Sequence, residues 1–178
     1  MSPQRLGQHF LTDGAWRARI LHSLGAQQDQ VWLEIGAGHG EMTRELARAA
    51  RRVIAIELDA PLVVALERLA EVQPNIEVVC GDVLALDLEK VALHSDAGTE
   101  RVRVYGSLPY YITSPILRRL FEHAAAIESI HIVIQFEVAE RLAARPGRRE
   151  YGFLSVLAQF YAQPEIVFRI PPGAFRPR

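Results

Sequence analysis

The chain has 178 residues, 49% hydrophobic and 23% charged, which is ordinary globular composition and enough length for one domain with a real core. Its net charge of −1 excludes a uniformly basic surface, so any nucleic-acid contact must come from a local patch. A single cysteine, Cys80, excludes an internal disulfide and fits a reducing, cytoplasmic setting; no metal-ligand spacing, membrane-length apolar run or signal-peptide core is present.

Along the chain, β-branched apolar runs alternate with helix-patterned stretches. The runs are VWLEI (31–35), RVIAIEL (52–58), IEVVC (76–80), RVRVY (101–105), SIHIVIQF (129–136) and EIVFRI (165–170). Several are apolar on both faces, as strands buried between two helix layers are. Between them the pattern predicts helices over 43–50, 61–72, 115–126, 137–144 and 152–162, with Pro61 and Pro115 where helix starts tolerate proline. This β-α-β-α order predicts an α/β fold with a mostly parallel sheet and right-handed crossovers. RPGRREYG (145–152) reads as a basic loop, and Arg141, Arg145, Arg148 and Arg149 cluster there as a candidate phosphate-binding patch or a solvated charged loop. The final RIPPGAFRPR is read as an extended, proline-rich segment that closes nothing, the start of a hinge.

Three signals fall at the carboxyl ends of successive predicted strands. The first is Glu34-Ile35-Gly36-Ala37-Gly38-His39-Gly40, where glycines let the backbone turn sharply and a ligand approach closely. A dinucleotide fingerprint needs glycine at position 41, but Glu41 stands there and would repel a pyrophosphate at a helix start. That argues against a nicotinamide dehydrogenase. The second signal is Glu57, about 20 residues on, where a carboxylate can accept hydrogen bonds from ribose hydroxyls. The third is Asp82 of Cys80-Gly81-Asp82-Val83, able to accept from an exocyclic adenine amine or to serve as a turn aspartate. Order and spacing match an S-adenosylmethionine site at the carboxyl edge of a parallel sheet.

A fourth motif, Ser107-Leu108-Pro109-Tyr110, ends the next predicted strand. An adenine amine is a poor nucleophile because its lone pair is delocalised into the ring. Acceptors at its two hydrogens favour a pyramidal, nucleophilic nitrogen. Pro109 fixes the turn and removes a competing donor, and Tyr110 offers a face on which an unpaired base can stack.

With these residues in place, the chain resembles the bacterial small-subunit ribosomal RNA adenine dimethyltransferases. The large-subunit adenine methyltransferases of macrolide resistance are a more distant alternative. The shared stretches are LGQHFL (6–11), EIGAGHGEMT (34–43), IELD (56–59), GDVL (81–84), SLPYYITSPIL (107–117), EVAERLAARPGRREYGFLSV (137–156) and IPPGAFRP (170–177). The resemblance implies a Rossmann-like class I S-adenosylmethionine-dependent methyltransferase, with a mostly parallel seven-stranded sheet and helices on both faces. It implies N6-dimethylation of adenines near the 3′ end of 16S rRNA, in the cytoplasm, during small-subunit assembly. It further implies a catalytic domain over 1–170 and a hinge at 171–178 leading to a helical domain that this chain lacks. His9, Leu11, Gly36, Gly38, Glu57, Asp82 and Ser107 would hold the cofactor, and Ser107 to Tyr110 would form the acceptor turn. A monomer without metal or membrane attachment is expected. The family usually carries asparagine at the positions of Ser107 and Tyr111 and often a basic residue at that of Phe136. The short hydroxyl of Ser107 leaves a second reading open: a cofactor-binding assembly factor with little turnover.

Overall fold

The structure is a computed structural model and describes residues 10–93 and 101–176. After a two-residue strand β1 (Phe10–Leu11), helix α1 (Gly14–Leu24) leads into β2 (Val31–Ile35), α2 (Glu41–Ala49) and β3 (Arg52–Glu57). Then come α3 (Ala60–Val72), β4 (Ile76–Cys80), α4 (Leu88–Leu93) and β5 (Val102–Ser107). Helix α5 (Thr113–Glu122), β6 (Ile127–Val133), α6 (Phe136–Ala143), α7 (Phe153–Tyr161) and β7 (Phe175–Arg176) complete the order.

Strands β2 to β6 form one parallel sheet in the order β4-β3-β2-β5-β6. All five residues of the central strand β2 are buried, because helices cover both faces. On one face Leu33, Ile54 and Val104 pack with Leu88 of α4 and Ile116 and Leu120 of α5. On the other, Trp32, Val53 and Tyr105 meet Ile20 and Leu24 of α1, Leu46 of α2 and Leu69 of α3. Parallel strands with crossover helices bring every strand's carboxyl end to one edge of the sheet, and that edge carries the site.

Three features differ from the sequence reading. The sheet has five strands among the described residues, not seven, although the α/β class is as expected. The EIVFRI run at 165–170 is not a strand. Its apolar side chains dock elsewhere: Phe168 and Ile170 join the core beneath α1. The Phe168 ring lies 6.0 Å from Trp16, with the Arg19 guanidinium over both. A β-prone sequence forms a strand only where a ladder receives it, and here packing against a helix takes its place. Third, α1 has no counterpart in the predicted helices, although its ends are marked in the sequence. The Asp13 side chain accepts the Ala15 and Trp16 amides at its start, and Gly25 closes it with φ 57°. Cys80 ends β4, within the expected apolar run, and is exposed.

The chain's last described residues also behave differently from the expected free hinge. Strand β7 pairs antiparallel with β1, Leu11 opposite Phe175 and Phe10 opposite Arg176. The buried Ala174 carbonyl accepts the Thr12 and Asp13 amides at 3.0 and 3.3 Å, and the Thr12 hydroxyl at 3.3 Å. Among the described residues, no helix is long and apolar enough to cross a membrane.

Candidate functional site

The glycine turn after β2 requires backbone that other residues resist: Gly36, Gly38 and Gly40 all have positive φ, 72°, 59° and 80°. Two bonds fix the turn to the neighbouring strand. The Gly36 amide donates to the Ile56 carbonyl at 2.9 Å, and the Gly38 amide to Glu57 Oε2 at 2.8 Å. The other carboxylate oxygen of Glu57 accepts the Leu58 and Asp59 amides at 2.8 and 2.9 Å. Glu57 is therefore a buried acceptor hub that locks the glycine turn to the end of β3.

Asp82 sits on the exposed turn after β4. Its Oδ1 accepts the Leu84 amide at 2.9 Å, so the residue is a turn aspartate and lines the cleft as well. Helix α2 begins at Glu41, beside the same cleft, without a side-chain cap. The carboxylate there opposes a phosphate at the helix start.

Glu34 has no predicted role, yet its position is unusual. It is 2% exposed, and its Oε2 has no hydrogen-bond partner among the described residues. Burial pushes its pKa up to about 8; Thr43 offsets part of that, while the charges of Glu41 and Glu57 add to it. A buried acid in the fourth place of a strand that is otherwise apolar was the signal available in the sequence.

The Ser107–Tyr110 turn closes the other side. The Leu108 amide donates to the Val133 carbonyl at 3.0 Å, which extends the β5–β6 ladder by one residue and buries Leu108. Pro109 is extended, φ −60° and ψ 143°, and its carbonyl accepts the Ile112 amide and the Thr113 hydroxyl. That starts the short 3-10 turn Tyr110–Ile112. Tyr110 is 59% exposed, so its ring faces solvent at the cleft and not the aliphatic core. Gly36 lies next to this turn: a Cβ on it would stand 3.9 Å from the Ser107 carbonyl.

One open cleft of about 1410 Å³ is lined by Leu11, Gly36, Gly38, Glu57, Asp82 and all four residues of the acceptor turn. His9 lies outside the described residues. The Phe10 ring packs over the glycine turn: it stands 4.9 Å from His39, edge-on, and its Cε1 would be 3.3 Å from a Cβ at Gly38. The arginines are not gathered into this cleft. Arg141 lines a separate groove with Arg118 and the exposed Phe153. Arg145, Arg148 and Arg149 sit on an exposed turn where the Arg148 and Tyr151 amides bond back to Arg145 and Arg148. At Phe136, where a basic residue was expected, the Arg169 guanidinium stacks 3.2 Å from the ring centroid. The fold thus restores a cation there from 33 residues away in sequence.

The family model for ribosomal RNA adenine dimethylase matches residues 2–178. A ribosomal RNA small subunit methyltransferase A from Koribacter versatilis is 42% identical over 181 residues, covering 97% of this chain and 64% of that protein. The chain spans between 58% and 64% of the length of the first six curated relatives it matches. Among solved structures, the 23S rRNA methyltransferase ErmE is 35% identical with a TM-score of 0.63, covering 78% of this chain and 53% of that one. A dimethyladenosine transferase from Plasmodium falciparum superposes with a TM-score of 0.69 over 84% of this chain and 52% of that one; at 24% identity it speaks for the fold alone.

Proposed function

The chain belongs to the ribosomal RNA adenine dimethylase family, and on that premise we propose that it methylates N6 of adenines near the 3′ end of 16S rRNA, in the cytoplasm, using S-adenosylmethionine. The observation that carries this reading is the shared cleft. The glycine turn, Glu57 and Asp82 line it together with the Ser107–Tyr110 turn, so a donor and an acceptor base can meet in it.

The residues fit a cationic, phosphate-free nucleoside. Left-handed glycines clear the floor of side chains. Glu41 and Glu57 line the same region, which favours a cation and opposes a phosphate. The cofactor, when bound, supplies an electrophilic methyl group on a sulfonium. The chain's part is positioning and acceptor hydrogen bonds. Glu57 offers its remaining acceptor capacity to ribose hydroxyls, Asp82 to an adenine amine, and Leu11 covers the pocket from β1. The Ser107 hydroxyl and a turn carbonyl accept from the target amine, directing its lone pair toward the methyl group. Tyr110 holds the base by stacking, and the exposed arginines from Arg141 to Arg149 take phosphates.

Incubating the chain with undermethylated small subunits and labelled cofactor tests the proposal. Label on 16S adenines is expected, and no incorporation despite cofactor binding would overturn the enzyme reading. That result would favour the second reading, an assembly factor with little turnover, which rests on serine in place of the family's asparagine at 107.

A further inference from the structure

We infer that the Pro172–Arg176 segment is a positioning element of the cofactor pocket, which it closes by clasping β1 over the glycine turn. This rests on the proposed cofactor site and assigns a role to the IPPGAF motif, which that function leaves unused.

Strand β1 is too short to hold itself in place. Two residues make no ladder of their own, and their order must come from neighbours. Three contacts supply it. Arg17 of α1 donates to the Leu11 carbonyl at 2.9 Å. The Phe10 ring rests on Gly38 and His39. From the far end of the chain, 162 residues away, Ala174 accepts both amides that follow β1 and the Thr12 hydroxyl, while β7 pairs with β1 itself. The first contact comes from the scaffold and the second from the pocket floor. The third alone ties the pocket to a segment distant in sequence, Pro172–Arg176.

Sequence explains why the clasp forms readily. Pro171 and Pro172 restrict the unclasped segment, so pairing loses less conformational entropy. The Pro172–Ala174 3-10 turn, closed by the Ala174 amide on the Pro171 carbonyl at 3.0 Å, aims the Ala174 carbonyl at Thr12. Phe175, Pro171 and Pro172 also line the cleft, so the clasp is part of the pocket wall. Linkage makes the effect reciprocal: a bound nucleoside that holds Phe10 and Leu11 down strengthens the clasp, and anything that pulls on residues after Pro171 loosens the pocket.

The test compares the chain with Phe10→Ala, with a variant lacking residues 173–178, and with their combination, using S-adenosylhomocysteine as probe. Stopped-flow displacement reads its dissociation rate, and hydrogen exchange reads the Thr12 and Asp13 amides. Each single change is expected to speed dissociation about tenfold. The combination should be no faster than about twofold beyond the worse single change, because both act through one strand. In the intact chain the probe should slow exchange at Thr12 and Asp13. The melting temperature without ligand should stay within about 2 °C, which separates the clasp from general destabilisation. A shortened chain that folds and releases the probe at the wild-type rate would overturn the inference. So would multiplicative effects of the two changes. An intact chain that binds no probe would overturn the cofactor reading itself, a different outcome from either.

Discussion

The two halves of the cleft are built by opposite means. On the side of β2, β3 and β4, polar groups turn inward and backbone amides hold the central one: Glu57 alone accepts three. On the side of β5 and β6, apolar and aromatic surface is left facing solvent, with Tyr110 and Tyr111 both more than half exposed. On the proposed function, the difference follows from what each half would recognise. Ribose hydroxyls and an amino-acid end demand fixed hydrogen-bond partners, which only a locked backbone supplies. A nucleobase delivered from RNA demands a flat face that stays open until it arrives. Rigidity belongs to the first half and accessibility to the second.

Breaking the amide-held half should have the largest consequences. Glu57→Ala strands the buried Gly38 amide and frees the glycine turn; we expect a stability loss of about 2–4 kcal/mol and roughly 100-fold weaker binding of S-adenosylhomocysteine by calorimetry. Unchanged affinity would remove Glu57 from the site. Tyr110→Ala attacks the open half only. Stacking worth about 1–3 kcal/mol translates into roughly 5–150-fold slower methyl transfer to small subunits, with cofactor affinity kept within twofold; full activity would contradict base stacking.

Gly106→Ala probes the seam between the halves. A Cβ there would lie 2.9 Å from Leu108 Cδ2, 3.2 Å from the Ile35 carbonyl and 3.3 Å from Ile35 Cβ. Backbone cannot give way as a side-chain tip can, so denaturation should show a loss of about 1–3 kcal/mol. Wild-type stability would mean that β5 shifts freely against β2, against the contrast drawn above.

Glu34→Gln sharpens the comparison through pH. Burial raises the folded-state pKa of Glu34 to about 8, well above the ordinary carboxylate range of the unfolded chain. The native state therefore keeps a proton that the unfolded chain has lost between these values, and stability falls as pH rises through that window. Glutamine cannot lose that proton. The variant should gain on the parent by ~1 kcal/mol or more between pH 5 and pH 8, and parallel pH–stability curves would show that Glu34 stays ionised in the fold.

Much of the amide-held half was legible beforehand because its parts are local. Glycines in a turn, an acid at a strand end and an Asx turn each declare themselves within a few residues, and parallel strands collect them at one edge. The helix at 14–24 was missed because its apolar spacing is weak, although Asp13 and Gly25 bracket it. The EIVFRI run misled because β propensity records fit to a pleated surface, and no ladder receives these residues. The cation at Phe136 and the isolation of the Arg145–Arg149 turn from the cleft depend on side chains meeting across long separations, which spacing does not report.

By itself the sequence determined the α/β order, the glycine-acid-acid-turn progression and the family. These depend on periodicity and on short-range backbone chemistry, which neighbouring residues impose on one another. Only the tertiary structure decided that Glu34 is a buried acid with an unpaired oxygen, that Arg169 stacks on Phe136, and that the last described residues close over the first. Each of those outcomes is set by desolvation or by contact between distant segments, and neither exists until the chain has folded.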